Sequence, residues 1–267
     1  MTVIADEPGT PGAAVPGRDA RPAGADAGTA RRAEPQAPRG PLLAVCGLCG
    51  GAGASTLAYL LAVSATRRRS DPVLVCDTGG PTGGLAGYAG VATPRSLAEV
   101  AEHVAAGLPP GRLYASTADG VRVLATGPRF TPGCVRDGVE LVLEHARGAH
   151  ALTVVDCGTL TREAEQIALT KATHVAWVLP ATPSGARRGE RVLDAVNPYL
   201  LGRELVVARR DEQQPKAALR ELKRLAEARN ATLILVPHVP DVAAGEADEA
   251  LSAAQVPLQA IHGVLER

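Results

Sequence analysis

One stretch of the chain, residues 42–63 with the sequence LLAVCGLCGGAGASTLAYLLAV, constrains the fold more than any other. Its opening apolar run is short and bounded by glycine, which is typical of a buried parallel strand. Residues 47–53 contain too many glycines for either a strand or a helix. From Ser55 onward, leucines recur with helical spacing. The stretch therefore predicts a strand, a glycine-rich loop and a helix in direct succession.

A helix that follows such a loop presents unpaired backbone N–H groups and the positive end of its dipole to the space above the loop. That arrangement suits a phosphate group. The usual phosphate-binding pattern is G-x-x-x-x-G-K-[ST], in which the lysine reaches the terminal phosphates and the hydroxyl group holds magnesium. In the aligned segment, Gly47 to Thr56, the lysine position is occupied by Ala54.

The segment CGGAGAST resembles the deviant phosphate loop KGGxGK[ST][ST] of the MinD/ParA family of P-loop ATPases. In that family a second, signature lysine stands at the start of the loop and reaches across a nucleotide-sandwich dimer, and here Cys49 takes its place. Both lysines are replaced, whereas the glycines and hydroxyl residues of the loop remain. The resemblance implies a nucleotide-binding loop made of Gly50, Gly51, Ala52, Gly53, Ala54, Ser55 and Thr56.

The loss of the loop lysine should lower the affinity for nucleotide by an amount that can be estimated. Hydrogen bonds to charged groups are worth about 1.5–3 kcal/mol, and about 1.4 kcal/mol is a tenfold change in affinity. Nucleotide binding should therefore be weaker by roughly one to two decades or more. Hydrolysis should suffer further, because charge develops on the transferred phosphoryl group with no fixed cation to meet it. The resemblance implies ATP and Mg²⁺ as ligands, and the substitutions predict that they bind weakly or not at all.

Asp77 ends the second short apolar run, residues 72–76. The family has a D-x-D segment here, whose second carboxylate orients the attacking water or the metal. This chain has Gly79 at the second position. Asp77 alone suits either an indirect contact to a metal or a cap at the end of the strand.

Asp156 ends another buried-type run, residues 151–155, and matches the Walker B position, where an acid holds magnesium through water. An aspartate at a strand end is also a frequent helix N-cap, and both interpretations remain open. The candidate magnesium residues implied by the resemblance are Ser55, Asp77 and Asp156.

Two other segments bear on the resemblance. Residues 83–104, GGLAGYAGVATPRSLAEVAEHV, resemble the pattern G-x-x-x-L-L-G-x-x-x-x-x-S-L-x-x-L of the pilus-assembly branch of the family, called CpaE or TadZ. At Ala208-Arg209 the family often has an asparagine-arginine pair whose asparagine reads adenine. The base-reading amide is therefore missing in this chain.

The order of apolar runs and amphipathic segments predicts an α/β fold. Strands alternate with helices from residue 42 to the end, and the crossovers are long enough for parallel pairing. We expect one doubly wound, mainly parallel sheet with helices on both faces and the phosphate loop at its carboxyl edge. Pro257 should divide residues 248–265 into two short helices.

The chain is expected to comprise a tail and one domain. Residues 1–40 are rich in Pro, Ala, Gly and Arg without periodicity, which predicts a disordered tail, and residues 41–267 form the MinD/ParA-like domain. Lys plus Arg and Asp plus Glu both number 28, so no net charge attracts nucleic acid over long range. No signal pattern or long apolar run is present, which predicts a cytoplasmic protein without direct membrane insertion.

Cysteine chemistry is a separate hypothesis. The chain has 5 cysteines, an odd number that favours reduced thiols in a cytosolic protein. A C-x-x-C motif at Cys46 and Cys49 lowers a thiol pKa best at a helix N-terminus. Here Cys46 ends a buried strand and the helix begins several residues after Cys49, which disfavours redox or metal chemistry.

Four departures from the family pattern, at Cys49, Ala54, Gly79 and Ala208, all fall on residues that serve nucleotide chemistry. They predict a catalytically impaired MinD/ParA-like scaffold for spatial positioning or assembly, with a CpaE/TadZ-type pilus or secretion system as the machine served. Its partners would be proteins, including a second copy of the chain, and a partner would recruit it to a membrane or pole. The alternative is an atypical ATPase that uses a partner-supplied cation or an arginine, with Arg187-Arg188 as the candidate pair.

Overall fold

The computed structural model describes residues 39–79, 84–92, 95–110, 113–126, 136–196, 202–210, 216–239, 242 and 247–267. The tail expected over residues 1–40 lies almost entirely outside the described residues, and so does Cys134.

Strands and helices alternate along most of the described chain. The strands are β1 (Leu42–Gly47), β2 (Val73–Asp77), β3 (Ala115–Ser116), β4 (Arg122–Leu124), β5 (Leu152–Asp156), β6 (His174–Pro180), β7 (Glu204–Arg210) and β8 (Thr232–Pro237). The helices are α1 (Ala54–Arg68), α2 (Leu85–Ala89), α3 (Leu97–Ala105), α4 (Arg136–Ala149), α5 (Glu163–Lys171), α6 (Pro183–Asp194), α7 (Lys216–Ala228) and α8 (Asp248–Leu265).

Within the described residues the strands form one 8-stranded sheet in the order β3-β4-β2-β5-β1-β6-β7-β8. Neighbouring strands run parallel except β3 and β4, which are antiparallel. This topology confirms the predicted doubly wound, mainly parallel sheet. The strand β1 lies in its interior, between β5 and β6, so the loop that follows β1 emerges at the centre of the carboxyl edge.

Each face of the sheet carries its own apolar core because side chains alternate along a strand. In β1, Leu43 and Val45 belong to the core that α1, α2 and α8 cover. Leu42, Ala44 and Cys46 belong to the opposite core, which α3, α4, α5, α6 and α7 cover. Helices therefore lie on both faces, as the sequence predicts.

The predicted break of the last helix at Pro257 is wrong. The helix α8 runs without interruption from Asp248 to Leu265 with Pro257 inside it. Proline in a helix interior costs about 3 kcal/mol. Both halves of α8 bury apolar residues against the same core, Leu251 before the proline and Leu258 and Ile261 after it, and this packing outweighs the local cost.

The strand β4 is shorter than the apolar segment, residues 121–126, in which it lies. It comprises only Arg122–Leu124, and it pairs with the short strand β3 on one side. Among the described residues, no helix has both the length and the apolar character that a bilayer crossing requires.

Candidate functional site

The loop between β1 and α1 is anchored to both neighbouring strands. The backbone N–H of Gly47 donates to the carbonyl of Gly158, after β5, at 2.7 Å, and that of Leu48 donates to the carbonyl of Val178 in β6 at 2.8 Å. Gly51 and Gly53 have φ values of +70° and +93°, a conformation that other residues rarely adopt. Gly51 and Gly53 are therefore required by the shape of the loop.

The N-terminus of α1 is open to an anion. Gly53 occupies the N-cap position and provides no side-chain cap, and the first turn contains no acidic residue. A helix of 15 residues with uncapped N–H groups at its start favours a negatively charged ligand there. The predicted phosphate loop thus has the backbone geometry that phosphate binding needs.

A cavity of about 470 Å³ opens above this loop. All the predicted loop residues from Gly50 to Thr56 line it. Its other walls are the ends of the neighbouring strands, including Arg209 and Pro237, and apolar residues such as Tyr88 of α2. The cavity has backbone polar groups at the loop and apolar residues beyond it, a combination that is common in ligand pockets.

Ser55 and Asp156 are brought together by the fold. Asp156 ends β5 and is 2% exposed. Burial raises the pKa of its carboxyl, while the Ser55 side chain and the Gly158 N–H, which donates to Oδ1 at 3.2 Å, oppose that rise. Ser55, at the start of α1, and Asp156, at the end of β5, therefore lie close to each other at the floor of the site.

Asp77 stands beside Asp156, in register across the adjacent strands β2 and β5. Its Oδ1 accepts a hydrogen bond from the Gly79 N–H at 2.7 Å, so the residue caps the turn after its strand. Burial and the neighbouring Asp156 raise the pKa of Asp77 to about 7. The contact with Gly79 fits the interpretation of Asp77 as a cap at the strand end. Asp77 also lies next to Asp156, one of the candidate magnesium residues.

Sequence reasoning missed Glu165 of α5, a third buried acid near this group. Its Oε2 accepts from the Arg162 N–H at 2.9 Å, which caps the first turn of the helix. Burial raises the pKa of Glu165, and Asp156 adds to the rise. The signal in the sequence was a glutamate at the third position of a helix, which is typical of a capping box.

Within the described part of the chain, no group of three or more His, Cys, Asp or Glu residues is arranged to hold a metal ion. Mg²⁺ in phosphate sites does not need such a cage, since it keeps several waters and binds one or two carboxylates together with the substrate phosphates. The pair of Ser55 and Asp156 fits that pattern, and would hold the ion through the hydroxyl and water.

Arginines contact the loop from two sides. Arg209, at the end of β7, donates from Nη1 to the Gly51 carbonyl at 2.8 Å and lines the cavity. Arg188 of α6 donates from Nε to the Leu48 carbonyl at 2.9 Å, but neither it nor Arg187 lines the cavity. The predicted substitute pair therefore lies outside the cavity. Arg209 was missed as a cation, although its place after a parallel strand could have indicated it.

The two cysteines of the C-x-x-C motif do not lie together in one core. Cys46 is fully buried in the core under α3–α7, whereas Cys49 packs against the opposite core. The nearby Cys46 thiol, together with burial, raises the pKa of the Cys157 thiol. This arrangement agrees with the argument against redox chemistry at the motif.

No protein-family model matches the chain, and no curated protein sequence matches it either. Several solved structures are similar to the chain. The chain is similar to a ParA family ATPase from Chlorobium tepidum, with a TM-score of 0.68 and 16% identity over 86% of this chain and 98% of that one. It is also similar to a chain of the MinC:MinD cell division protein complex of Aquifex aeolicus, with a TM-score of 0.65 and 16% identity over 85% of this chain and 96% of that one.

A third similar structure is cobyrinic acid a,c-diamide synthase from Mycobacterium smegmatis with bound ADP and magnesium. The TM-score is 0.55, and the identity is 20% over 82% of this chain and 94% of that one. These likenesses show the fold alone. The chain has the fold of the MinD/ParA P-loop NTPases.

Proposed function

We propose that this chain is a catalytically impaired MinD/ParA-like protein that binds a nucleoside triphosphate weakly and acts as a scaffold for spatial positioning or assembly. One observation carries the proposal. The loop has its left-handed glycine turns and Ser55 lies close to Asp156, while Ala54 and Gly79 stand where the family has a lysine and an acid. The geometry supports binding, and the missing groups are those that serve the reaction.

The expected ligand is ATP with Mg²⁺. Similar structures include one with bound ADP and magnesium, which supports this ligand class. The phosphates would lie against the N–H groups of residues 50–56, and Ser55 with Asp156 would hold the ion. Mg²⁺ would neutralise part of the phosphate charge when bound. Without a loop lysine, the affinity should be about tenfold or more below that of a complete loop.

Proteins are the expected partners. One similar structure is a complex of MinD with MinC, which supports a role that depends on binding another protein. A second copy of the chain is a further candidate, as the resemblance implies for nucleotide-sandwich dimers. Recruitment to a membrane or a cell pole would come through such a partner, and a CpaE/TadZ-type pilus or secretion machine is the system we propose on the resemblance of residues 83–104.

A titration of the full chain with mant-labelled ATP, with and without Mg²⁺, tests the proposal. We expect saturable binding that Mg²⁺ strengthens, and phosphate release near the background rate. Ala54→Lys should raise the affinity about tenfold or more, since it restores a charge at the start of α1. Ser55→Ala should remove the effect of Mg²⁺, whereas Ser252→Ala, at an exposed position of α8, should not. Wild-type protein that binds no ATP at millimolar concentration would contradict the proposal.

The alternative function is an active but atypical ATPase. The contact between Arg209 and the loop favours it, because an arginine could meet charge on a phosphate. Rapid, magnesium-dependent phosphate release that Ser55→Ala abolishes would establish this alternative and overturn the impaired scaffold. A purification from the native cell, followed by identification of the co-eluting proteins, tests the partner class separately.

A further inference from the structure

We propose that β8, at one edge of the sheet, pairs antiparallel with the β8 strand of a second copy of this chain, about a twofold axis at Ile234. The contact would join the two sheets into one. It goes beyond the proposed function, because it requires neither a nucleotide nor the cavity above the phosphate loop.

The strand β8 has one free edge. It pairs with β7 on one side, and in the sheet that the described residues form no strand lies on its other side. The helices α7 and α8 contact β8 and belong to the cores on the two faces of the sheet. The strand is 6 residues long, against 2 for β3 at the other edge. It is therefore long enough to pair with another strand.

The register of β7 and β8 identifies the backbone groups that face the free edge. Neighbouring parallel strands use alternate residues of each strand for their hydrogen bonds. The N–H of His238 donates to the Arg210 carbonyl at 3.0 Å, so the even-numbered residues of β8 face β7. The backbone groups of Leu233, Leu235 and Pro237 therefore face the free edge. The position of Pro237 agrees with this, because proline lacks an N–H and occurs in edge strands where none is needed.

These backbone groups are self-complementary in an antiparallel pair centred on Ile234. Leu233 then lies opposite Leu235 of the second copy, and each residue of such a pair donates its N–H to the carbonyl of the other. The twofold axis repeats both hydrogen bonds on the other side of Ile234. One surface thus meets itself, as a closed dimer requires. For this reason a second copy is the occupant that fits the edge.

The side chains of the same two leucines would also gain contacts. Leu233 and Leu235 are half-buried and pack against the core that α7 covers. In the proposed pair their exposed parts lie next to each other across the two strands. Apolar pairs of this kind stabilise antiparallel sheets.

The sequence of β8 lacks the features that commonly keep edge strands apart. Natural edges are protected by charged side chains, by proline or by bulges. The segment Thr232–Pro237 contains no Lys, Arg, Asp or Glu, and its residues pair one to one with those of β7, without a bulge. Proline occurs only at its last position. A strand of this composition favours the addition of another strand at its edge.

Sedimentation velocity of the full chain without nucleotide, at concentrations up to about 200 μM, tests the inference. We expect a dimer whose fraction rises with concentration. Leu233→Lys with Leu235→Lys places like charges opposite each other and should weaken dimerisation about tenfold or more. Leu233→Lys with Leu235→Glu places opposite charges there and should dimerise more tightly than the double-lysine variant. Leu141→Lys, at a leucine of α4 that is 43% exposed, should leave the dimer unchanged.

Hydrogen exchange of the wild type locates the contact without any substitution. The amides of Leu233 and Leu235 should exchange more slowly as the protein concentration rises. Those of Ile234 and Val236, which face β7, should be protected at every concentration. This measurement decides the question if either double variant fails to unfold cooperatively in a melting experiment.

Four results would overturn the inference. They are a chain that stays monomeric at the highest concentration, oligomers that grow beyond a dimer, equal dimerisation of the two double variants, and unchanged exchange of Leu233 and Leu235 in the dimer. None of these results bears on nucleotide binding, which the titration with ATP tests separately. A dimer that forms only with ATP would also overturn this inference, while it would support the nucleotide-sandwich arrangement of the proposed function.

Discussion

Asp77 and Asp156 stand side by side at the carboxyl ends of β2 and β5, with their Cα atoms in register and their side chains almost fully buried. Burial and the neighbouring Asp156 raise the pKa of Asp77 to about 7, against 3.8 for an ordinary aspartate. Two adjacent buried acids are costly when both are ionised. Ionising both acids in the folded state therefore costs electrostatic free energy, close to Ser55 at the start of α1.

The stability of the apo protein should fall as pH rises from about 4 to 7 through this pair. Between these pH values the folded state keeps a proton on Asp77 that the unfolded state has already released. Unfolding therefore releases a proton, and it becomes more favourable as the pH rises. Asp77→Asn should reduce this dependence, leaving the smaller contribution of Asp156, and raise the free energy of unfolding at pH 8 by on the order of 1 kcal/mol or more. Urea denaturation at pH 5 and pH 8 measures both effects.

Asp71→Asn, at an exposed position just before β2, serves as the control, and its pH profile should match that of the wild type. Added Mg²⁺ should stabilise the wild type more at pH 8 than at pH 5, since it offsets the same repulsion. A profile for Asp77→Asn that equals the wild-type profile would show that the two acids do not interact as the geometry indicates.

Gly158→Ala should destabilise the protein and disturb the phosphate loop. Gly158 has φ +51°, and an added Cβ would lie 2.7 Å from Glu165 Oε1 and 3.3 Å from the Gly79 Cα. The expected loss is about 2–3 kcal/mol, since steric conflict adds to the backbone cost. Gly107→Ala is the matched control, with φ +78° but nothing within 4 Å, and should lose about 1 kcal/mol. Equal losses in thermal unfolding would refute the steric argument.

The sequence predicts the strand, loop and helix of the site because their signals are local. Residues 42–56 contain the apolar run, the glycines and the hydroxyl group within one short segment, and backbone geometry alone makes them a loop. Asp77 and Asp156 were also predictable, because parallel strands bring their carboxyl ends to one edge. The apolar runs, the glycines and the acids at strand ends can each be interpreted without knowledge of a distant contact.

Contacts between distant residues could not be predicted in the same way. Arg209 touches Gly51 across 158 residues of sequence, and its place at the carboxyl end of a parallel strand does not by itself identify the loop as its partner. The continuity of α8 through Pro257 does not follow from local helix propensity, because it depends on the core that both halves of the helix share. In both cases the structure is determined by tertiary packing, which the sequence of a single segment does not reveal.

The buried pair of Glu204 and Arg229 should be among the most sensitive positions in the fold. Arg229 donates to Glu204 from Nε at 2.9 Å and Nη2 at 3.0 Å, and Trp177 Nε1 donates to the same carboxylate at 2.9 Å. Arg229→Met leaves a buried carboxylate without its cation, which should cost about 3–5 kcal/mol. Chemical denaturation measures this loss.

Two comparisons make the prediction about Arg229 specific. Asp119→Ala breaks the more exposed pair with Arg67 and should cost less than about 1 kcal/mol. The double variant Glu204→Leu with Arg229→Met should lose less than Arg229→Met alone, because no buried charge is left unpaired. Equal losses in the single and double variants would show that packing, and not charge, sets the cost.

His262 of α8 should make the protein sensitive to mild acid. It is 1% exposed, and its Nε2 lies 3.2 Å from the Ser64 hydroxyl of α1. Burial, with Arg68 and Arg69 nearby, lowers its pKa from 6.5 to about 4, while Glu266 opposes the shift. The unfolded state therefore binds the proton first, and stability should fall as pH drops from about 6.5 to 4, by about 2–3 kcal/mol.

Urea denaturation between pH 7 and pH 4.5 measures the acid sensitivity that His262 confers. In His262→Gln the loss of stability over this range should shrink, because the side chain no longer titrates. His145→Gln replaces an exposed histidine of α4 and should leave the profile unchanged. We expect α8 to separate from α1 before the rest of the domain unfolds in acid. Hydrogen exchange should therefore increase in α8 before it increases in β1. An acid profile that His262→Gln leaves intact would place the sensitivity elsewhere in the chain.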